Sequence, residues 1–579
     1  MAALSNLKPQ PSNKKRRGPM MPMFKFLPAL GLGSIALLLN SAALGQVNLP
    51  VAVEQSTLAK DAFSTGTLRQ GQGALGADLW KGADAETLEF LLSKAPTLPS
   101  TPSLGDAMRR TLLTEGNGPQ AAPASLGGRK LLALSRAGFT DEARNLASLS
   151  NAPRNDPHVG QALATADLLD GDVAAACARN AALANGRDAI FWVKLRVLCY
   201  AVSGERDAAD LTFALLQERG SLSETDNVFL SGLLTGAAPK TPPSPETALH
   251  LAALRQMKLP LTPSLLGQAR AGVVKAVMSD ESIDMPARLD AATRAASMGI
   301  ISGRDLIGLY QSVETDIADV ARAMDIADER PYDPLSDVLI YQSVRQMTAP
   351  EFLRDKASRI SAALSKADSF PRAYALSLLY DDGIGTFDGA LISPSEAGQF
   401  AMARMTVGDS KGAARWLYAM LGTGALSAMD EANAMKLIEL NNLLSILDPT
   451  SGAAVAKSAG ITVEPPYALN ISGGGDVDAE AMARIVEAAL SAAVDGVPGQ
   501  AALAALAASN TAPSGDLLAG VVIGQSLRAA GLEDLQRRMA FEAALKAHYA
   551  KREALLPARA KPAQTKETGL TPRLKPNRT

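Results

Sequence analysis

The sequence predicts an all-α fold: helical hairpins repeated along the chain to form an α-solenoid or superhelix, with disordered termini. Three observations carry this expectation. Long segments are dominated by Ala, Leu, Met, Arg and Glu, with apolar residues three and four apart, the spacing of an amphipathic helix. Strand-like alternation is scarce, and its best candidate, ITVEPPYALNI at 461–471, is interrupted by two prolines. Glycines also recur in a fixed phase, Gly138, Gly171 and Gly204, 33 residues apart.

Residues 1–45 read as a signal peptide. They hold six bases (Lys8, Lys14, Lys15, Arg16, Arg17 and Lys25) and no acid. An apolar run spans Phe26 to Leu39, and Ala43 and Gly45 stand at −3 and −1 of a cut before Gln46. The run is shorter than the roughly 20 residues that cross a bilayer, and Pro28 interrupts it, which favours a cleaved leader over an anchor. Met20, Met21 or Met23 would each give a leader of conventional length, so translation is expected to start there. Arg16-Arg17 is followed by GPMMP rather than the usual twin-arginine context, and no Cys follows the small residues for lipid attachment. With the leader removed, 51 bases face 59 acids. No second long apolar span follows, so a periplasmic product of a diderm bacterium is expected, with no stable transmembrane span.

Residues 46–125 form an N-terminal region with a linker. A helix, AETLEFLLSKA at 85–95, precedes PTLPSTPSLGD, which the fixed φ and missing donor of proline mark as loop. Residues 126–235 carry the repeats, and 236–246 is a Pro-rich linker. A further helical repeat region covers 247–465, and a C-terminal helical region covers 466–550, broken at GVPGQ, 496–500. The tail, 551–579, has eight bases against two acids and too little apolar content to pack, so it is expected to be disordered.

The repeat evidence lies in three segments, LLALSRAGFTDEARNLASL, TADLLDGDVAAACARNAAL and RVLCYAVSGERDAADLTFAL. Five residues before each glycine stands a small residue, Ala133, Ala166 or Cys199, and five after it Ala143, Ala176 or Ala209. The same offsets recur at Ala403, Gly408 and Ala413, and more faintly around Gly531. A tight turn between antiparallel helices needs a residue that tolerates positive φ, hence Gly. Helices that approach closely need small side chains at the contact, hence Ala. The acids after each glycine, Asp141, Asp172, Glu205 and Asp409, suit a helix N-terminus.

This pattern resembles tetratricopeptide repeats, and 370–425, with ALSLLYDDGIG followed by ARWLYAML, resembles their Sel1 variety. The family's aromatic positions and terminal proline are mostly missing, so the units are degenerate. The resemblance implies stacked helix pairs with a concave surface that binds peptides or proteins.

Signals for chemistry are few. Charge balance, with 57 bases and 59 acids, argues against a general nucleic-acid binder. Two Cys and three His argue against a multi-ligand zinc or iron–sulfur centre. His158, His250 and His548 lie in no hydrolase or metalloprotease motif and are read as structural. Gly473-Gly474-Gly475 before Asp476 is read as a loop ending in a helix cap rather than an anion cradle. Asp381, Asp382, Gly383, Gly385 and Asp388 do not follow calcium-loop spacing and are read as a solvated loop. Trp192 and Trp416 are read as core. Cys177 and Cys199 fall in adjacent helices of the repeat array; they either pair as a disulfide in an oxidising compartment or serve as two buried small hydrophobes.

These readings describe a non-enzymatic, exported scaffold that mediates protein–protein interaction in the bacterial cell envelope, without cofactors, metals or catalytic residues and with an envelope protein or peptide as partner. Two competitors stand beside it. The chain resembles soluble lytic transglycosylases in placing an Ala-rich helical region after a signal peptide, but their Glu-Ser pair and Gly-Leu-Met-Gln-type segment are absent from the C-terminal third. A released surface or adhesion protein is the other.

Overall fold

The structure is a computed structural model, and it describes residues 61–119, 123, 125–153, 155–237, 239–422, 426–462, 478–511 and 516–555. The signal peptide, residues 463–471 of the candidate strand, Gly473 to Gly475, and the tail beyond 555 lie outside the described residues. Among the described residues the chain is all-helical, with 26 α-helices, no strand and one isolated bridge between Leu68 and Thr114. The all-α expectation therefore holds.

The first helices are α1 (Ala85–Ser93), α2 (Pro102–Leu113), α3 (Ser125–Arg136), α4 (Thr140–Leu149), α5 (Pro157–Leu169) and α6 (Val173–Ala182). They are followed by α7 (Ile190–Ser203), α8 (Arg206–Glu218), α9 (Glu224–Thr235), α10 (Ala248–Gln256), α11 (Ala271–Ser279) and α12 (Met285–Ser297). The pairs α3/α4, α5/α6 and α7/α8 are hairpins turned at Gly138, Gly171 and Gly204, with φ of 91°, 85° and 83°. Gly408 turns a fourth, between the helices Pro394–Thr406 and Ser410–Leu421, and Gly531 a fifth, between Leu517–Ala529 and Glu533–Leu555.

All five turns close in the same way. The amide after the glycine donates to the carbonyl four residues before it: Phe139 to Leu134, Asp172 to Asp167, Glu205 to Tyr200, Asp409 to Arg404 and Leu532 to Leu527, at 2.8–3.0 Å. This is the Schellman closure, which ties off an orphan carbonyl and requires a left-handed residue. Asp172 and Asp409 then cap the next helix, accepting from the amides of Ala175 and Gly412. Asp141 lies in the first turn of α4, and Glu205 takes the cap position of α8 without a side-chain bond. The flanking Ala133, Ala143, Ala166, Ala176, Ala209, Ala403 and Ala413 are all buried. Cys177 in α6 and Cys199 in α7 are joined as a disulfide between neighbouring hairpins, with Cα atoms 5.6 Å apart.

Three local readings are corrected. PTLPSTPSLGD is not all loop: Thr101 caps α2 by accepting from the amide of Leu104, and Pro102 sits in the first turn, where its missing N–H costs nothing. Asp381, Asp382, Gly383 and Gly385 are not a loop but the last turns of the helix Phe370–Gly385; only Asp388 lies beyond it, capping a short 3₁₀ turn. Residues 551–555 belong to the last helix, Glu533–Leu555, rather than to the tail.

Two hydrophobic clusters organise the packing. The first takes in Leu131, Leu168, Trp192 and Leu251 together with Ile485, Leu503 and Ile523 from the C-terminal helices. The second is built around Tyr310, Phe400, Trp416 and Leu444 and also receives Phe541 and Leu545. The C-terminal helices thus return to the start of the chain: the helix Pro498–Thr511 packs on α1 and α2, and Glu533–Leu555 packs on α2. Trp192 and Trp416 are both core, 1% exposed.

Two stability predictions follow from the hairpins. Gly204→Ala puts a Cβ into open space but at a left-handed φ, so it should cost about 1–2 kcal/mol. Gly138→Ala adds contacts at 3.2 Å with Ala271 and Ile300, so urea unfolding should show a larger loss than for Gly204→Ala. Reducing Cys177–Cys199, which closes a separation of 22 residues, should cost roughly 3 kcal/mol, and a Cys177→Ser/Cys199→Ser variant should unfold at one urea concentration with or without reductant.

Candidate functional site

The first helices of three of the hairpins, α3, α5 and α7, together with α9, α10 and α11, surround a cavity of about 370 Å³. Its wall takes Ser135 and Arg136 from the end of α3, Gln161 and Thr165 from α5, and Phe191 and Lys194 from α7. Ser223, Asp226, Glu246, Thr247, His250 and Arg270 complete the polar part of the lining.

Local sequence explains how the central groups are placed. The segment SETD starts α9 with a reciprocal cap: Ser223 Oγ accepts from the amide of Asp226 at 3.1 Å, and Asp226 Oδ2 accepts from the amide of Ser223 at 2.9 Å. Asp226 is thereby fixed at the third helical position. Likewise Thr247 Oγ1 caps α10 by accepting from the amide of His250 at 3.3 Å, so His250 takes the equivalent position of its own helix. The imidazole stacks on Phe229, with ring centroids 5.2 Å apart. Asp226 Oδ1 lies 3.1 Å from His250 Nε2, and Oδ2 accepts from Lys194 Nζ at 2.7 Å.

Burial raises the Asp226 carboxyl, but hydrogen bonds from His250, Lys194 and Ser223 outweigh it and hold the group well below the ordinary carboxylate value. An ionised carboxylate only accepts, so His250 donates through Nε2. His250 is 2% exposed, and its other nitrogen, Nδ1, is buried with no hydrogen-bond partner.

Arg136 and Arg270 are the remaining cations of the cavity, and neither guanidinium makes an ion pair or hydrogen bond among the described residues. Burial lowers the pKa of Arg136, and repulsion from Arg270 and Arg129 lowers it further. Glu246 accepts from Thr225 Oγ1 at 3.0 Å.

The residues singled out in the sequence lie elsewhere. Gly138, Gly171, Gly204 and Gly408 are turn residues, and Cys177 and Cys199 bridge hairpins; none of them lines the cavity. Of the histidines only His250 enters it. His548 Nδ1 lies 3.0 Å from Glu439, and His158 starts α5 behind the Asp156 cap. Asp381 is paired with Arg404. Among the described residues no group of three or more His, Cys, Asp or Glu is placed to hold a metal ion. Sequence reasoning missed Asp226, Lys194, Arg136 and Arg270. One signal was available: Gln161 and Lys194 stand 33 residues apart, in the same register of the repeat, and both face the cavity. No family model, curated protein or solved structure matches the chain.

Asp226→Asn removes the negative charge and leaves one acceptor oxygen where Lys194 and His250 now use two, and it should lower stability at pH 7 by about 3 kcal/mol. The Asp226 pKa is depressed in the folded state, so its contribution is full above the ordinary value of 3.8 and fades as the pH falls below it. Urea unfolding of the two proteins should therefore differ by a constant amount from pH 7 down to about 4 and converge in stronger acid.

Proposed function

We propose that the chain is a non-enzymatic, exported helical-repeat scaffold of the bacterial periplasm that binds a protein or peptide partner on the inner face of its stacked hairpins. The export reading rests on the basic, apolar and small-residue pattern of residues 1–45, with the mature chain beginning at Gln46. The scaffold reading rests above all on the repetition of one hairpin design: three consecutive units with the same Gly turn, the same closure and a buried Ala five residues after the glycine, at a 33-residue phase. Units of this kind bury one face on their neighbours: α3 packs on α5, α6 packs on α7, and α10 touches both α5 and α7. A surface made from many helices recognises an extended partner through side chains spread over several repeats, without a catalytic constellation.

The test has two arms. N-terminal mass spectrometry of the product from its native host should find a chain starting at Gln46 in the periplasmic fraction. Crosslinking of that fraction should join a protein partner through positions on α5 and α7, such as Gln161 and Lys194. A cytosolic product that retains its leader, or crosslinks scattered over outer helices, counts against the proposal. So does peptidoglycan cleavage by the purified chain.

A further inference from the structure

The cavity presents two guanidiniums that its own residues leave without an acidic partner. A guanidinium stays ionised under all ordinary conditions and offers its N–H groups to any anion that reaches it. Arg136 is half-buried at the end of α3 and Arg270 is exposed at the start of α11, and both line the cavity. Asp226 is committed to Lys194 and His250, and Glu246 pairs with neither arginine.

The backbone adds to the excess of positive potential. Helices α9, α10 and α11 all begin at the cavity, with Ser223, Thr247 and Arg270 as their N-caps. Helix N-termini carry partial positive charge and unpaired N–H groups. Ser223 and Thr247 supply side-chain oxygens to their helices, whereas α11 has no side-chain cap, and its first-turn residues Gly272 and Val273 line the cavity. His250, almost fully buried in the same wall, gives its Nε2 to Asp226 and keeps a buried Nδ1 without a hydrogen-bond partner.

We infer that this cavity is a binding site for a small organic molecule carrying an oxyanion, held between Arg136 and Arg270 at the start of α11. An oxyanion supplies what both guanidiniums lack, and arginine presents parallel N–H groups that match carboxylate and phosphate oxygens. The wall also has an apolar part, with Leu169, Ile190, Phe191 and Val273, so the ligand has an organic body and is not a bare ion. About 370 Å³ accommodates a compact molecule of this class. The inference does not require the scaffold reading, because the purified chain alone should bind.

The experiment is calorimetric and thermal titration of the purified mature chain with phenyl phosphate, phenylacetate and inorganic phosphate, each against sodium chloride at matched ionic strength. The expected result is saturable binding of phenyl phosphate or phenylacetate, tighter than that of inorganic phosphate; whichever aromatic anion binds better identifies the headgroup. Arg136→Gln and Arg270→Gln should each weaken that binding roughly tenfold or more, while Lys411→Gln, on an exposed helical position elsewhere, should leave it unchanged. Because each arginine lacks a partner, its replacement should not lower the melting temperature of the ligand-free chain, which separates loss of a site from loss of the fold. No saturable response to any of the three probes overturns the inference. So does an equal response from wild type and both arginine variants, or a ligand-free melting temperature that falls sharply in both.

Discussion

Helices in this protein approach each other closely because small side chains line their contacts, and most of the architecture depends on that closeness. Dispersion and apolar burial act only where atoms meet, and with aromatics at 4% of the residues few large side chains are available to fill gaps between distant helices. Alanine and glycine let backbones take that space instead. A Cβ on Gly105 would fall 2.1 Å from the carbonyl of Met298, and one on Gly499 would fall 2.4 Å from the Trp80 ring. The helix Pro498–Thr511 takes this furthest: Ala501 through Ala508 are all buried, so it has no solvent face over that stretch. A helix apolar on every side has to lie between others, and this one lies against α1 and α2. The return of the C-terminal helices to the N-terminal ones is therefore a packing consequence of a sequence that reads locally as a monotonous alanine run.

Close packing raises the cost of any buried charge, and the molecule meets that cost with partners almost everywhere. Lys130 is fully buried and pushed down to about 7, yet its Nζ donates to the carbonyls of Phe63 and Thr65. Burial raises the Glu542 carboxyl, which accepts from the hydroxyl and amide of Ser103 at the start of α2. Arg372 meets both oxygens of Asp337. Each pairing joins segments distant in sequence, so each fixes one arrangement of helices rather than merely tolerating it. The two arginines of the cavity differ from these groups: Arg136 is half-buried and Arg270 exposed, and both face the cavity instead of an acidic partner.

What could be read from the sequence follows the range of the interactions involved. The hairpins were legible because a left-handed glycine, the acid after it and the alanines five residues to either side are all local requirements. The α2 start was misread because Pro and Ser mark loops and helix first turns equally well, and only the bond from the Leu104 amide to Thr101 decides between them. The Asp381–Gly385 segment was misread because its composition favours a loop, whereas Arg404, from the next helix, neutralises Asp381 and lets the helix run on. The cavity was least legible. Asp226 and His250 are 24 residues apart, and each looks like an ordinary residue of a helix first turn. Their meeting is set by how α9 lies on α10, which no local pattern encodes.

The cavity and the hairpin array are nonetheless products of one constraint. A constant 33-residue phase that aligns the turn glycines also aligns the other positions of the first helices, so Gln161 and Lys194 hold equivalent places on α5 and α7, as Gly171 and Gly204 do in their two turns. Where the phase ends, after α8, the chain no longer supplies another regular hairpin. It supplies instead the starts of α9, α10 and α11, which point their N-termini at the face the hairpins have prepared. The change from regular to irregular helices thus creates the concentration of positive potential. An anion seated there would touch α3 and α11 at once, and its binding energy would add to the contacts between two helices that lie far apart in the sequence.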